Sequence, residues 1–432
     1  MASSVMIDAA PGAAHQHRGM SDTTFVGRLH GERLAVVMTS VAIAALPLIA
    51  QRGPGNTAPA DVFLALAVGA TLLWAATAGH VWRVPYVIAM GLFVLGGALG
   101  AISGPVPSTG LIALIQDLVL LTWCWAVVNI SHSAQNLRIL LATWVYTAIG
   151  WTLLLFVGMS VGLVALTGQI ERRGSRVAMT FGDPNFAANY LVITIMIVWA
   201  TARPRHAALR IAVYALLATA LVLTGSIFGL VSLCLGVVVA GLLGVYRRGG
   251  LVSAITMLAL LVVIGALAAS TIDPKGIQEA AGRSQIAFLR DGIGRGGAES
   301  EDRGLLARES LSLYPSGGPL GEGPVSTKLR LQNENAPYVK EAHDDYLASL
   351  IERGLVGFVG IVLLLFGLAQ RALSLCRTRL AGSVTAVVIR PNAIVGAVAG
   401  TMAAGVAYEL LHMRHVWTLF AVVAALYLWG RE

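Results

Sequence analysis

Charge is scarce in this chain: of 432 residues only 12% are Asp, Glu, Lys or Arg, against 56% hydrophobic residues. A soluble globule of this size carries about twice that share of charge, so the soluble class is excluded, and a mean hydropathy of +0.76 says the same. Cysteine is nearly absent. Cys124 and Cys234 fall inside apolar runs and Cys376 at the end of one, which excludes a disulfide framework and leaves packing roles. Also missing are an internal repeat of fixed period and a pair of interrupted helices at matching places in two halves, the usual sign of a transporter site at mid-membrane. The first 33 residues hold Arg18, Arg28 and Arg33 but no apolar stretch of their own, so the expectation is an uncleaved anchor, not a cleavable leader.

What the chain does have is apolar runs near the length, about 20 residues, that crosses a bilayer as a helix. Twelve are expected, at about 34–50, 62–79, 85–101, 110–130, 138–168, 186–201, 207–223, 226–245, 251–270, 354–376, 391–408 and 415–430. The expected fold is therefore an all-α polytopic membrane protein. It has a tail at 1–33, nine transmembrane helices within 34–270, an extramembrane segment at 271–353, and three more spans within 354–432.

The net charge of +8 does not indicate nucleic acid, because the arginines are scattered over short loops and do not cluster on one soluble domain. Topology accounts for them. With the N-terminus inside, the inner loops hold Arg83, Arg138, Arg203, Arg205, Arg210, Arg247, Arg248, Arg371, Arg377, Arg379 and Arg390, which places both termini in and the long segment out. Within that segment "GIQEAAGRSQIAFLRDG" and "EDRGLLARESLSLY" read as short amphipathic helices, and "PSGGPLGEGP" as turns.

One outer loop opposes the charge bias: "GQIERRGSRVAMTFGDPNFAANYL", residues 168–191, with Arg172, Arg173 and Arg176. Two readings are open, neutralisation by Glu171, Asp183 or lipid headgroups, or the gripping of a phosphate by a planar guanidinium fork. Asp183-Pro184-Asn185 reads as a capped helix start. At "KEAHDDYLASLIERGLVG", a helix over 341–353 would put His343, Tyr346, Leu347 and Leu350 on one face, and Glu341 and Asp345 on another. His343 and Asp344 would diverge, which weakens a metal site, and no second cluster has ligand-like spacing. A general base beside a carboxylate is the easier chemistry, with an interfacial structural histidine as its alternative. Asp117, inside the fourth span, reads either as a proton relay or as a buried bond to a neighbouring helix. Glu409 and His412 would share a helix face near the outer end of the eleventh span, lining an acceptor cavity or capping the outer loop.

His343, Asp344, nine residues, Gly354, two residues and Gly357 resemble the signature of the O-antigen ligase and polymerase superfamily, a histidine and a small polar residue, then a glycine pair leading into a membrane helix. Asp344 departs from the usual amide or hydroxyl. Arg176, Thr180-Phe181 and Pro184-Asn185 are similar to a second stretch of that family, with Met179 in place of its glycine. "DRGLLARESLSLY" with "LGEGP", residues 302–324, resembles a third, with Ala307 where the family has an aromatic.

The resemblance spans about 168–376 and implies a GT-C-like fold of twelve spans with a helical extracytoplasmic cap before the tenth. It implies a metal-independent glycosyltransferase without cofactors in a bacterial plasma membrane, active on the periplasmic side. The donor would be a glycan on undecaprenyl pyrophosphate and the acceptor a hydroxyl of a lipid or lipid-linked glycan, as in lipopolysaccharide assembly. The family's histidine maps onto His343 and its pyrophosphate-binding arginines onto Arg176 and Arg303. Arg172, Arg173, Asp344, Asn185 and Tyr346 would complete the substrate-binding set. No Asp-x-Asp pair stands in the outer loops to hold Mg²⁺. A repeat-unit polymerase of the same superfamily, a small-solute transporter and a non-catalytic scaffold are the alternatives.

Overall fold

The computed structural model describes residues 22–49, 57–169, 174–292, 294, 296–333, 344–377 and 379–430, and every regular element among them is helical. The first half holds α1 (Asp22–Ala44), α2 (Pro59–Ala78), α3 (Val87–Ser103), α4 (Pro107–Ile130), α5 (Ala134–Val161), α6 (Val164–Thr167), α7 (Pro184–Thr201), α8 (Ala207–Leu223) and α9 (Ile227–Thr271). A layer of short helices follows: α10 (Pro274–Gly282), α11 (Ala287–Gly292), α12 (Gly296–Ser312), α13 (Tyr314–Gly317) and α14 (Thr327–Asn333). The chain then returns to long helices with α15 (Asp345–Arg377), the short α16 (Gly382–Thr385), α17 (Pro391–Ala404) and α18 (Arg414–Trp429).

Six helices, α2, α4, α5, α7, α9 and α15, are long and apolar enough to cross a membrane, and α3, α8, α17 and α18 are shorter apolar ones. Helix is what a bilayer demands, since each backbone N–H and C=O must be satisfied within its own segment. The sequence marks the starts. Ser133, Asp183 and Ser226 cap α5, α7 and α9 by accepting backbone N–H groups of Asn136, Asn185 and Gly229, and proline opens α2, α4, α7 and α17. The run expected at 138–168 is instead two helices, because Gly162 adopts φ 69° and ends α5.

α9 is not one rod. Gly250 has φ 75° and ψ −171°, and the position of a β-carbon on Gly241 lies 3.6 Å from Met257. Sixteen residues of continuous helix would separate those positions by about 24 Å, so the chain folds back at Gly250.

Two seams depend on small residues. On α3 and α15, Gly96 faces Gly357 and Gly360 faces the backbone of Phe93; on α9 and α17, Gly236 faces Gly396 and Gly400 lies 2.6 Å, as a β-carbon would, from the Ser232 carbonyl. Close backbone approach through glycine is how helices associate where hydrophobicity gives no drive between them. α7, the first half of α9, and α17 pack side by side in one group. Pro184, Ile227 and Ala404 stand at one end of that group, and Thr201, Gly249 and Pro391 at the other.

Candidate functional site

The end of the bundle at Pro184, Ile227 and Ala404 gathers most of the residues that the sequence singles out. Arg176 is 6% exposed; its Nε donates to the Thr224 carbonyl at 2.8 Å and its Nη2 to Asn185 Oδ1 at 3.0 Å. Asn185 is placed for this by the helix start, where the Asp183 carboxylate accepts its backbone N–H at 2.8 Å. The capped start read in "GDPN" is therefore present, and it aims an amide oxygen at the arginine. Next to Arg176, Ser175 donates its backbone N–H to Asp291 of α11 at 2.8 Å, which ties the loop to the short-helix layer. That N–H, with smaller contributions from Arg290, holds the Asp291 carboxyl below its usual range despite some opposing desolvation.

The start of α15 lies against the same end. Among the described residues the helix begins at Asp345, where the Asp344 carboxylate accepts the N–H groups of Tyr346 and Leu347 at 2.8 and 3.0 Å and so acts as its cap. Of the face expected for His343, Tyr346, Leu347 and Leu350, His343 lies outside the described residues, and the other three have helical spacing within α15. Burial raises the Asp344 pKa, opposed by the two N–H bonds. Tyr346 donates its hydroxyl to the Met402 carbonyl at 2.8 Å.

A loop at 405–413 links the two halves. Asp345, which precedes the Gly354 break where the apolar run of α15 starts, accepts the N–H groups of Leu410 and Leu411 at 2.9 and 3.1 Å. On the other side the Tyr408 hydroxyl is 3.1 Å from Ser226 Oγ, two residues past the carbonyl that holds Arg176. His412 meets the ring of Phe186 edge-on at 5.3 Å, beside Asn185. Glu409 and His412 are consequently loop residues, and the expectation of one helix face is overturned. α17 stops at Ala404, and the Asp345 carboxylate takes the backbone N–H groups that a continued helix would have used.

The third motif docks on the other flank of α15. Glu322 and Gly323 donate their N–H groups to the carbonyls of Ile351 and Glu352, at 2.9 and 2.8 Å. The Glu352 carboxylate in turn accepts from Val325 N–H at 2.8 Å and Thr327 Oγ1 at 2.7 Å. Gly354 has φ 61°, and a β-carbon there would run into the Pro319 carbonyl, so glycine is required twice over. Leu306 of α12 and Leu313 just after it bury against Leu347 and Ile351.

Arg303 lies in α12, with its side chain outside the described set; His343, Arg172 and Arg173 lie outside the described residues. Asp117 is paired: its carboxylate is 2.7 Å from Arg353 Nη1, and the Arg353 guanidinium sits 3.9 Å above the Phe93 ring. Of the two readings for Asp117, the bond to a neighbouring helix is the one present. Arg414 and Asp61 form a second buried pair at 2.6 Å. Sequence reasoning missed Arg353, Glu352 and Tyr408; the charged "ER" directly before Gly354 was the only available signal. Among the described residues no group of three His, Cys, Asp or Glu side chains is placed to hold a metal ion.

Chemically, the arrangement offers a buried guanidinium on one side of the 405–413 loop and the start of α15, two residues after His343 in the chain, on the other. No family model matches the chain, and no curated protein matches its sequence.

Proposed function

We propose that the chain is a glycosyltransferase of the O-antigen ligase type, which moves a glycan from undecaprenyl pyrophosphate to a hydroxyl of a lipid or lipid-linked acceptor at the outer face of a bacterial plasma membrane. One observation carries the reading. The segments 176–185, 320–324 and 344–357, which bear the three motifs of the resemblance, pack at one end of the bundle through Thr224, Tyr408, Asp345 and Glu352, although they are far apart in the chain. On this reading α1, both halves of α9 and the shorter apolar helices would cross the bilayer beside the five other long ones, twelve crossings in a GT-C-like fold, with the short-helix layer as its outer cap.

In this reaction His343 takes the proton of the acceptor hydroxyl as its oxygen attacks the anomeric carbon. The bond from that carbon to the pyrophosphate oxygen breaks, and undecaprenyl pyrophosphate leaves with the electron pair. Arg176 and Arg303 stabilise the charge that grows on the leaving group, and Asn185 holds the Arg176 fork in place. Asp344, the neighbour of His343 in the chain, fixes the start of α15.

Electrophoresis of surface polysaccharide from a deletion strain tests this. Attached polymer should vanish while carrier-linked chains persist, and the intact gene should restore it. His343→Ala and Arg176→Ala should each reduce attachment by about 10²-fold or more. Full restoration by both variants overturns the reading, and a single attached repeat in the deletion strain moves it to a polymerase.

A further inference from the structure

The opposite end of the same three helices holds a different kind of site. Between the end of α7, the first half of α9 and the start of α17 lies an open cleft of about 630 Å³, rimmed by Arg247, Arg248 and Arg390. α7 alone, at 18 residues, separates it from Asn185 by about 27 Å of helix rise. All three arginines are exposed, and no carboxylate among the described residues lies within ion-pair distance of them.

The cleft is built from the backbone up. Gly241 and Gly244 line it, and a β-carbon on Gly244 would already press on Asn392 Nδ2 at 3.2 Å. Asn392 in turn donates to the Ala240 carbonyl at 2.7 Å, and Arg390 donates its backbone N–H to the Ala200 carbonyl at 3.0 Å, which fixes α17 to both neighbours. Arg390 occupies the cap position of α17 with no side-chain bond to the helix. A cation there faces the positive end of the helix dipole, an arrangement that costs energy unless an anion sits between them. The remaining wall is apolar: Trp199, Val245 and Ile389 stand beside the guanidinium groups.

We infer that this cleft binds the phosphate of an anionic phospholipid headgroup, with Arg247, Arg248 and Arg390 around the phosphate oxygens and the first part of the acyl chains along Trp199, Val245 and Ile389. Guanidinium matches phosphate oxygens bidentately, and basic pockets between membrane helices at the inner surface suit such headgroups. The amphiphilic lining and the volume, much larger than an inorganic phosphate requires, favour a lipid over a soluble anion. The inference does not depend on the transfer reaction; it needs only that the helices sit in a bilayer.

The test uses the full chain in phosphatidylcholine vesicles, with spin-labelled phosphatidylglycerol and spin-labelled phosphatidylcholine as probes of lipid association. Wild type should prefer phosphatidylglycerol. Arg247→Gln/Arg248→Gln/Arg390→Gln should lose about fivefold of that preference for each charge removed, whereas the corresponding triple lysine variant should retain most of it. Raising ionic strength should weaken the wild-type preference, a readout that requires no variant to fold. Equal preference in wild type and the glutamine variant overturns the assignment, as does a lysine variant that loses as much as the glutamine one. Displacement of the labelled lipid by inorganic phosphate would reassign the cleft to a soluble anion and overturn the lipid.

Discussion

The two ends of the bundle treat charge in opposite ways. Around the motif-bearing end, carboxylates are engaged inside the protein: Asp344 and Asp345 accept backbone N–H groups, Glu352 accepts from Val325 and Thr327, Glu322 holds Arg330 at 2.7 Å, and Arg353 is buried against Asp117. At the far end Arg247, Arg248 and Arg390 stand exposed around an open cleft. An internally bonded end holds its segments in a fixed arrangement, as the proposed transfer would need. An open cationic end supplies a field and a fork of donors, which suffice to hold an anionic headgroup.

The sharpest way to break this contrast is to remove one partner of a buried pair. Arg353→Met leaves the Asp117 carboxylate with no counter-charge where both side chains are only about a tenth exposed. The expected loss is about 3–5 kcal/mol, measured by thermal unfolding in detergent. Asp117→Leu together with Arg353→Met should recover most of it, because the desolvation of both charges disappears with them. A double variant as unstable as the single one would show that Arg353 matters through its contact with Phe93 and not through the pair.

Neither pairing was legible in the sequence, and the reason is distance along the chain. The partners of Arg353 and of Arg414 lie in α4 and α2, hundreds of residues away, and no local pattern selects them. The helices themselves were legible, because a bilayer leaves helix as the one solution for an isolated apolar segment, and the Asp183 cap was legible because its chemistry is local. The loop at 405–413 was legible only in part, as the gap between the runs expected at 391–408 and 415–430. Its first apolar residues continue the pattern of α17, whereas in the structure α17 ends at Ala404 and Asp345 accepts the N–H groups of Leu410 and Leu411. Likewise the turn "LGEGP" was readable as a turn, but its docking against Gly354 was not.

Asp345 gives the second comparison. Burial pushes its pKa up to about 8, against the lowering effect of the two N–H bonds. Between the unfolded value of about 3.9 and about 8 the folded state therefore holds a proton that the unfolded chain has lost. Stability from this group is full below the lower value and declines as pH rises through the upper one. The wild-type melting temperature should fall as pH rises from about 4 to about 8 and level off above that, with a flatter profile in Asp345→Asn. Asp345→Ala, which strips both acceptors from the Leu410 and Leu411 N–H groups, should cost about 1–3 kcal/mol at pH 6. A slope unchanged in Asp345→Asn would assign the titration to another group.

The smallest effect belongs to an arginine of the same short-helix layer that is engaged on the surface. Arg283 meets Glu279 one turn away on α10 at 3.4 Å, with both side chains more than two thirds exposed. Water screens such a pair, and holding two long side chains in register offsets much of the attraction, so Arg283→Ala should change stability by no more than about 0.5 kcal/mol. Arg330, in the same layer but donating twice to a Glu322 that is 4% exposed, is screened less. What an arginine contributes here is set by whether its carboxylate has left water. If Arg283→Ala proved as damaging as Arg353→Met, exposure would not be the governing variable, and the contrast between the bonded end and the open end would lose its physical basis.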